Sequence, residues 1–139
     1  MAHWLYKSEP EAWSWQQQME AGKKGTEWTG VRNFTARNNM RAMKKGDRAF
    51  FYHSVTEKRL AGVLEVAREA YHDPTDKEKR WVAVDFRAVM PIDKLVTLTD
   101  IKNEPRLADL ALVRHSRLSV MPVKPEHWKL LCKMAGIAA

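Results

Sequence analysis

The sequence predicts a mixed α+β domain in which a small curved or closed β-sheet is surrounded by helices. A chain of 139 residues is long enough for one domain with its own hydrophobic core. Segments with a hydrophobic period of two follow one another at 48–54, 60–70 and 81–90, whereas helical patterns lie mainly before and after them. Because strands and helices do not alternate, a doubly wound parallel sheet is not expected.

The chain begins with a predicted strand at 4–7, which is rich in bulky, β-prone side chains. A helix is predicted to follow, with Ser8 as its N-cap and Glu11 completing a capping box. Pro10 is acceptable in the first turn, where its missing N–H has no partner in any case. We expect this helix to run to about Ala21, with Gly22 as its stop.

Residues 22–33 are predicted to form a loop that carries one large aromatic side chain, Trp28. Asn33 or Thr35 then opens a second helix, which ends at Gly46. Two stripes recur on it at helical spacing, one apolar (Ala36, Met40 and Met43) and one basic (Arg37, Arg41 and Lys44). The apolar stripe is expected to face the core.

The rest of the chain contains the main strands. Side chains alternate on the first of them, so Phe50 and Tyr52 share one face while Phe51 and His53 share the other. The strand at 60–70 is predicted to bend near Gly62. The strand at 81–90 has five residues that we expect to face inward: Val82, Val84, Phe86, Ala88 and Met90. Short helices are expected near 99–102 and 107–112, a last strand at 118–123, and a terminal helix from Pro125 onward.

The net charge of +7 is unevenly distributed along the chain. Residues 21–48 contain eight basic and two acidic side chains, and residues 105–139 contain six and two. The middle of the chain, 57–104, is nearly balanced with nine and ten. Clustered positive charge attracts phosphates through counterion release, which favours a nucleic acid as the partner. The alternative is a solvated, lysine-rich surface that only keeps the protein soluble.

The sequence gives no sign of export or of a membrane. No apolar run approaches the roughly 20 residues that a membrane span needs, and the first residues lack the layout of a signal peptide. The single cysteine, Cys132, excludes an internal disulfide and fits a reducing compartment. We therefore expect a cytoplasmic protein that does not bind membranes, and we expect it to be a monomer.

The sequence contains little that would support metal binding or nucleophilic catalysis. The five histidines lack ligand spacing and one cysteine cannot build a thiolate site, so neither a metal nor a cofactor is expected. No nucleophile elbow or phosphate-binding glycine-rich loop occurs. The remaining catalytic candidate is a carboxylate pair drawn from Glu65, Glu69 and Asp85, for which solvent-facing sheet positions are the simpler interpretation. A binding module is therefore expected rather than an enzyme.

The segment Trp-Thr-Gly-Val-Arg-Asn at 28–33 runs into the basic helix. A loop that enters a helix offers unpaired N–H groups and the positive end of the helix dipole to a phosphate. Trp28 provides a flat surface for a base, and Asn33 provides a donor and an acceptor for a base edge. The alternative roles are a core tryptophan and a helix cap.

Motifs along almost the whole chain, taken in order, resemble the EVE domain. They are WLYKSEP at 4–10, WTGVRN at 28–33, ARN at 36–38, MKKGD at 43–47 and FYHS at 51–54, followed by EAY at 69–71, DPT at 73–75, Trp81 with VD at 84–85, LSV at 118–120 and PV at 122–123. The EVE domain belongs to the PUA-like superfamily and is related to the YTH domain. The resemblance implies a small, mostly antiparallel β-barrel with flanking helices.

The resemblance also implies a function: reading a modified base, either modified cytosine in DNA or a modified base in RNA. Such a base would be flipped out of its strand into a pocket with aromatic walls. The residues implied for this pocket are Lys7, Ser8, Trp28, Asn33, Tyr52, His53, Ser54 and Ser119. For the phosphates we expect five arginines to serve: Arg32, Arg37, Arg41, Arg114 and Arg117.

Two other classes of function stay open at this point. One is a small nucleobase- or nucleoside-directed hydrolase on the same scaffold, with Lys7, Tyr52 or His53 in acid–base roles. The other is a protein–protein adaptor that uses the tryptophan-rich N-terminal helix. In that helix Trp13 and Trp15 would lie roughly 200° apart, so that both cannot face the core.

Overall fold

The computed structural model describes residues 2–138. This part of the chain has six strands: β1 (His3–Ser8), β2 (Thr26–Trp28), β3 (Arg48–His53), β4 (Arg59–His72), β5 (Val82–Pro91) and β6 (Val120–Val123). It also has five α-helices: α1 (Trp15–Glu20), α2 (Phe34–Ala42), α3 (Leu98–Lys102), α4 (Ala111–Arg114) and α5 (Pro125–Ala135). Among these described residues, no helix has the length and apolar character that a membrane crossing requires.

The six strands form a single, mostly antiparallel sheet with the order β2-β5-β4-β3-β1-β6, in which only the pair β1–β3 is parallel. Three strands separate β2 from β1 in this order. The ring centroids of Tyr6 on β1 and Trp28 on β2 are nevertheless 3.7 Å apart. The sheet must therefore curl strongly to bring its two sides together. Register shifts along β4 supply local bends of the kind that such curvature requires. The predicted mixed α+β fold with a curved sheet is confirmed.

Each face of the curved sheet is covered by its own hydrophobic core. The inner core is rich in aromatic side chains and is closed by α2, and the predicted stripe of Ala36, Met40 and Met43 is buried. The helix ends at Ala42 rather than at Gly46, because its C-cap Met43 has an extended backbone. The outer core lies between the sheet and α3, α4 and α5. Phe50 and Tyr52 belong to the outer core and Phe51 to the inner one, which confirms the predicted alternation of β3.

The first helix begins later than the sequence predicted. Its N-cap is Ser14, whose hydroxyl accepts a hydrogen bond from Gln17 N at 3.2 Å, while Gln17 Oε1 accepts from Ser14 N at 2.9 Å. Ser8 is instead the last residue of β1, where it pairs with His53 on β3. The prediction of Ser8 as the cap was wrong because strand pairing extends β1 through this residue.

Two further predictions need correction in the sheet. Part of the expected loop at 22–33 is the strand β2, which pairs with β5 and places Trp28 opposite Val84. On β5, Met90 packs against the outer core rather than facing inward. The register shifts by one residue between the pairs Val63–Met90 and Leu64–Ala88, so the alternation of β5 reverses at this bulge.

Candidate nucleic-acid interface

The curled sheet leaves a cavity of about 580 Å³ between the end of β1 and the segment that contains β2. Its volume lies in the range of small-ligand sites. The lining residues come from the end of β1 and the turn after it (Tyr6, Lys7, Ser8, Glu9, Ala12 and Trp13), from β2 and the following loop (Thr26, Glu27, Trp28, Thr29, Gly30, Val31 and Arg32), and from Ser119. Backbone pairing between Lys7 N and Ser119 O, at 2.8 Å, joins two of these segments.

The back wall of the cavity belongs to the aromatic inner core. The Trp28 side chain is 7% exposed, and three rings pack around it nearly at right angles: Tyr6 at 3.7 Å, Phe51 at 5.4 Å and Phe86 at 5.5 Å between centroids. Burial raises the pKa of the Tyr6 hydroxyl far above its usual value, and the nearby Asp73 carboxylate raises it further. Tyr6 therefore stays neutral, and this wall is an uncharged, closely packed group of rings.

A second indole, that of Trp13, flanks the cavity and is only partly buried. Its Nε1 donates to Gln18 Oε1 at 2.8 Å, and Trp28 Nε1 donates to the same oxygen at 3.0 Å. The Gln18 amide is itself fully buried and donates to Phe86 O at 3.0 Å. One amide thus satisfies three groups and fixes the positions of both tryptophans. Trp13 offers more free ring surface than Trp28.

Polar groups lie at the mouth of the cavity. The Ser8 hydroxyl donates to Trp13 O at 2.6 Å, and Lys7 Nζ donates to Ser116 O at 2.8 Å. Burial lowers the pKa of the Lys7 amine. The carboxylates of Glu9 and Glu27 also line the cavity and can accept hydrogen bonds from a base edge.

The loop on the β2 side is tied down by the buried carboxylate of Asp73. One oxygen accepts from Gly30 N at 2.8 Å and from Arg32 Nη1 at 3.0 Å. The other accepts from the backbone N and the hydroxyl of Thr75, at 2.7 and 2.6 Å. Burial by itself would raise the pKa of Asp73, but the hydrogen bonds from Thr75, Gly30 and Arg32 outweigh it and lower the pKa to about 2. The charged form of Asp73 therefore holds the Gly30–Arg32 rim in place.

Four of the eight residues expected in the base pocket line this cavity: Lys7, Ser8, Trp28 and Ser119. Asn33 does not line it. It caps α2, as one interpretation of the sequence proposed, by accepting from Ala36 N at 2.9 Å, and it faces a second depression of about 450 Å³. Because a capping oxygen is committed to the helix backbone, Asn33 has less capacity for a base edge.

The three pocket residues expected at the end of β3 (Tyr52, His53 and the following Ser54) lie elsewhere. Tyr52 and Ser54 line a third depression of about 590 Å³, which shares Lys7, Glu9 and Ser119 with the cavity. His53 is buried on the opposite face. Its Nε2 accepts from Trp15 N at 3.0 Å, and its Nδ1 lies 2.9 Å from Glu57 Oε1. Side-chain alternation along β3 explains why these neighbours do not converge on one site.

The five arginines expected at phosphates fall into separate groups. Arg114 and Arg117 line the second depression together with Asn33. Arg32 lines the cavity. The last two flank the ring pair of the exposed Phe34 and the half-buried Trp81: Arg37 lies above both rings, and Arg41 lines a fourth depression beside Trp81. The sequence predicted that these arginines are part of a basic surface, but it did not predict that they lie in three separate places.

The structure also brings in residues that the sequence reasoning did not assign to the site. Trp13 was considered only as part of an adaptor surface, and Gln18, Glu9 and Glu27 were not considered. Asp73 was noted only within the motif at 73–75. The motifs WLYKSEP and DPT marked Glu9 and Asp73 as members of a pattern, but contacts such as those of Gln18 with Phe86 and of Asp73 with Gly30 join distant parts of the chain and leave no local signal.

The carboxylates considered for catalysis do not form a pair. Glu65 forms salt bridges with Arg48 and Arg87, Glu69 accepts from Lys45 N at 3.1 Å, and Asp85 accepts from the hydroxyl of Tyr71 at 2.5 Å. Within residues 2–138 no group of three or more His, Cys, Asp or Glu side chains is placed to hold a metal ion.

A curled, mostly antiparallel sheet with an aromatic cavity and flanking helices defines a domain of the PUA-like class. Within this class the chain belongs to the EVE domain family, whose model matches residues 2–134. The sequence-based assignment is therefore confirmed. Human thymocyte nuclear protein 1 is 32% identical over 96% of this chain and 73% of its own length.

Solved structures agree with this assignment. A protein from Rhodopseudomonas palustris, solved by NMR, is 55% identical with a TM-score of 0.93 and covers 98% of this chain and 94% of its own. A crystal structure of human THYN1 in complex with DNA containing 5-methylcytosine is 31% identical, with a TM-score of 0.89 and complete coverage of both chains. A YTH domain from Zygosaccharomyces rouxii in complex with N6-methyladenosine RNA shares the fold at 16% identity, with a TM-score of 0.59 over 99% of this chain and 86% of its own.

Proposed function

We propose that this protein binds nucleic acid and reads a modified base, which enters the cavity flipped out of its strand. The observation that carries the proposal is a cavity of about 580 Å³ flanked by two indoles that one buried amide holds in place. The complex of the related human THYN1 with DNA containing 5-methylcytosine supports modified cytosine in DNA as the first ligand to test. A modified base in RNA is the second.

The groups around the cavity suit a base of this kind. Stacking of a base on an aromatic side chain such as Trp13 is worth roughly 1–3 kcal/mol, which offsets much of the few kcal/mol that flipping costs. The carboxylates of Glu9 and Glu27 are acceptors for the exocyclic amino group of a cytosine. The apolar wall of Tyr6 and Trp28 suits a methyl substituent on the ring.

The strand that carries the base would follow basic residues next to the cavity. The third depression shares residues with the cavity and also contains Lys58, Lys102 and Arg117. Arg117 also lines the second depression, together with Arg114. Backbone phosphates bound along this path would give affinity that depends on salt but not on sequence.

Binding without catalysis is the function that we propose, because two of the three residues considered for a hydrolase are poorly suited to acid–base roles. Both ring nitrogens of His53 already have partners, and burial raises the pKa of Tyr52 to about 12. Lys7 remains, and turnover of a modified nucleoside by the purified protein would contradict the proposal.

The experiment measures affinities for short single- and double-stranded oligonucleotides that contain cytosine, 5-methylcytosine, adenine or N6-methyladenine, at two salt concentrations. We expect the wild-type protein to prefer one modified base over its parent. Trp13→Ala should abolish this preference and weaken binding of the modified oligonucleotide roughly tenfold or more, because the stacking surface is lost.

The matched control is Met19→Ala, which removes an exposed apolar side chain from the helix that follows Trp13. This variant should keep the preference, and thermal unfolding of both variants should show that they are folded. Equal affinity of the wild type for every oligonucleotide, with a steep salt dependence, would leave only a basic surface and contradict base reading.

A further inference from the structure

We propose that a second, unpaired nucleobase, next to the modified one in the same strand, stacks on an exposed aromatic surface beside the cavity. This surface, here called the Phe34 surface, consists of Phe34, Trp81, Arg37, Arg41 and Lys79. The proposal rests on the proposed function, since it supplies a contact for a nucleotide that flanks the flipped base.

The two rings of the Phe34 surface form a preformed pair. Phe34 is the first residue of α2 and is 55% exposed, more than any other Phe, Trp or Tyr in residues 2–138. Its ring centroid lies 5.0 Å from that of Trp81, with an interplanar angle of 30°. Neither ring belongs to the inner or the outer hydrophobic core. The pair therefore presents an aromatic face to solvent that the packing of the fold does not require.

Arg37 holds this pair in position. Its guanidinium carbon lies 4.8 Å from the centroid of Phe34 and 5.9 Å from that of Trp81. Its Nη1 donates to Arg80 O at 3.2 Å, which links α2 to the loop before β5. A fixed aromatic surface loses little side-chain entropy when a base stacks on it, and an arginine beside the ring adds a cation–π contribution.

The surroundings are positive, which favours a polyanion as the occupant. Trp81 also lines a depression of about 620 Å³, together with Arg41, Lys79 and His72, among others. The acidic residues of the adjacent loop are engaged in contacts within that loop. Asp76 is buried and accepts three backbone hydrogen bonds, and Glu78 lies 3.6 Å from Arg80. Aromatic faces among unpaired cations match unpaired nucleotides, which present both π faces and phosphates.

Arg32 connects the Phe34 surface to the cavity. Its side chain lines the cavity, and its guanidinium carbon lies 5.7 Å from the centroid of Trp81. A strand whose modified base occupies the cavity can therefore place a flanking nucleotide on the surface. Flipping one base disrupts the stacking of its neighbours, and stacking on Phe34 would recover part of that loss.

The test uses three single-stranded oligonucleotides: one with 5-methylcytosine between ordinary nucleotides, one with cytosine at the same place, and one with 5-methylcytosine between abasic nucleotides. Phe34→Ala should bind the first two roughly tenfold more weakly than the wild type, because one stacked base is lost. The ratio of the two affinities should not change. The wild type should bind the third oligonucleotide only as tightly as the variant binds the first. The variant should bind the first and the third oligonucleotides with equal affinity.

The control is Leu95→Ala, a substitution of another exposed apolar side chain, 62% exposed and outside the proposed surface. It should bind like the wild type. The proposal is overturned if Phe34→Ala also binds like the wild type, or if it weakens binding equally when the flanking nucleotides are abasic. If the wild type does not distinguish 5-methylcytosine from cytosine but Phe34→Ala still weakens binding, base reading has failed while the second position stands.

Discussion

At the scale of single residues, the amide of Gln18 joins the two tryptophans that flank the cavity. Trp13 and Trp28 donate to the same oxygen, and the amide nitrogen donates to Phe86 O. Both polar atoms of this buried side chain therefore have hydrogen-bond partners. A buried amide that satisfies three partners is costly to replace, because each orphaned group costs about 1–3 kcal/mol. The cavity thus depends on a residue that does not line it.

Asp73 leads to a prediction about stability and pH. Its folded-state pKa, about 2, lies below the usual value of 3.8, so its charged form stabilises the fold. This contribution is fully present above about pH 4 and is lost as the pH falls through about 2. Asp73→Asn should therefore lower the free energy of unfolding by about 2 kcal/mol at pH 7. Urea unfolding at pH 7, 4 and 2.5 should show the difference from the wild type shrinking with acid.

Glu78→Gln is the control, because it removes a carboxylate from the same loop that is exposed and forms only a surface ion pair. It should change stability by less than about 1 kcal/mol at any of these pH values. If the two variants behaved alike, the hydrogen bonds of Asp73 would not be the source of the effect.

At the scale of elements, α1 and the strand β4 meet at a contact that only glycine allows. A Cβ atom on Gly62 would overlap the outer ring atoms of Trp15. Trp15 is 7% exposed and packs against Phe51, so it has little freedom to move away. The sequence prediction of a bend near Gly62 identified the residue, but the close approach of α1 is the stronger reason for a glycine here.

Gly62→Ala should therefore destabilise the protein by about 1–3 kcal/mol, the usual cost of overpacking a core. Trp15→Phe removes the indole atoms that cause the clash. In the Trp15→Phe variant, Gly62→Ala should lower the free energy of unfolding by clearly less than it does in the wild type. A double-mutant cycle of unfolding free energies would measure this difference. Additive effects of the two substitutions would show that the clash is absent.

At the scale of the whole molecule, the positive charge of the chain is divided between surfaces in different parts of the fold. Lys102 and Arg117 line the third depression next to the cavity, whereas Lys129 and Lys133 are exposed on α5, which covers the outer core. Only the first pair lies along the path that we propose for phosphates. The net charge of +7 therefore does not by itself measure the interaction with nucleic acid.

The double variant Lys102→Gln/Arg117→Gln should reduce the slope of log affinity against log salt concentration by roughly 1.4–1.8, since each lost phosphate contact removes about 0.7–0.9. Preference for the modified base should remain, because phosphate contacts carry no base information. Lys129→Gln/Lys133→Gln removes the same charge and should leave the slope almost unchanged. Equal slopes in the two double variants would mean that only total charge matters.

Much of the fold followed from local patterns. The period-two segments became β3, β4 and β5, the predicted apolar stripe at 36–43 is buried, and the predicted terminal helix is α5, which buries Trp128, Leu131, Cys132 and Ala135. These predictions succeeded because the hydrophobic period of a long segment reflects the geometry of its backbone directly. β2 was missed because three residues carry no such period, and only pairing with β5 makes them a strand.

The site was only partly predictable for the same physical reason. The sequence by itself determined the family, the curved mixed sheet and four residues of the cavity: Lys7, Ser8, Trp28 and Ser119. Tertiary structure decided that Trp13 flanks the cavity and that Gln18 and Asp73 hold its walls. It also decided that the side chains of Asn33 and His53 accept hydrogen bonds from backbone N–H groups instead of lining the cavity. Sequence motifs mark which residues are special, but which of them converge depends on how far the sheet curls, and that is set by contacts between distant strands.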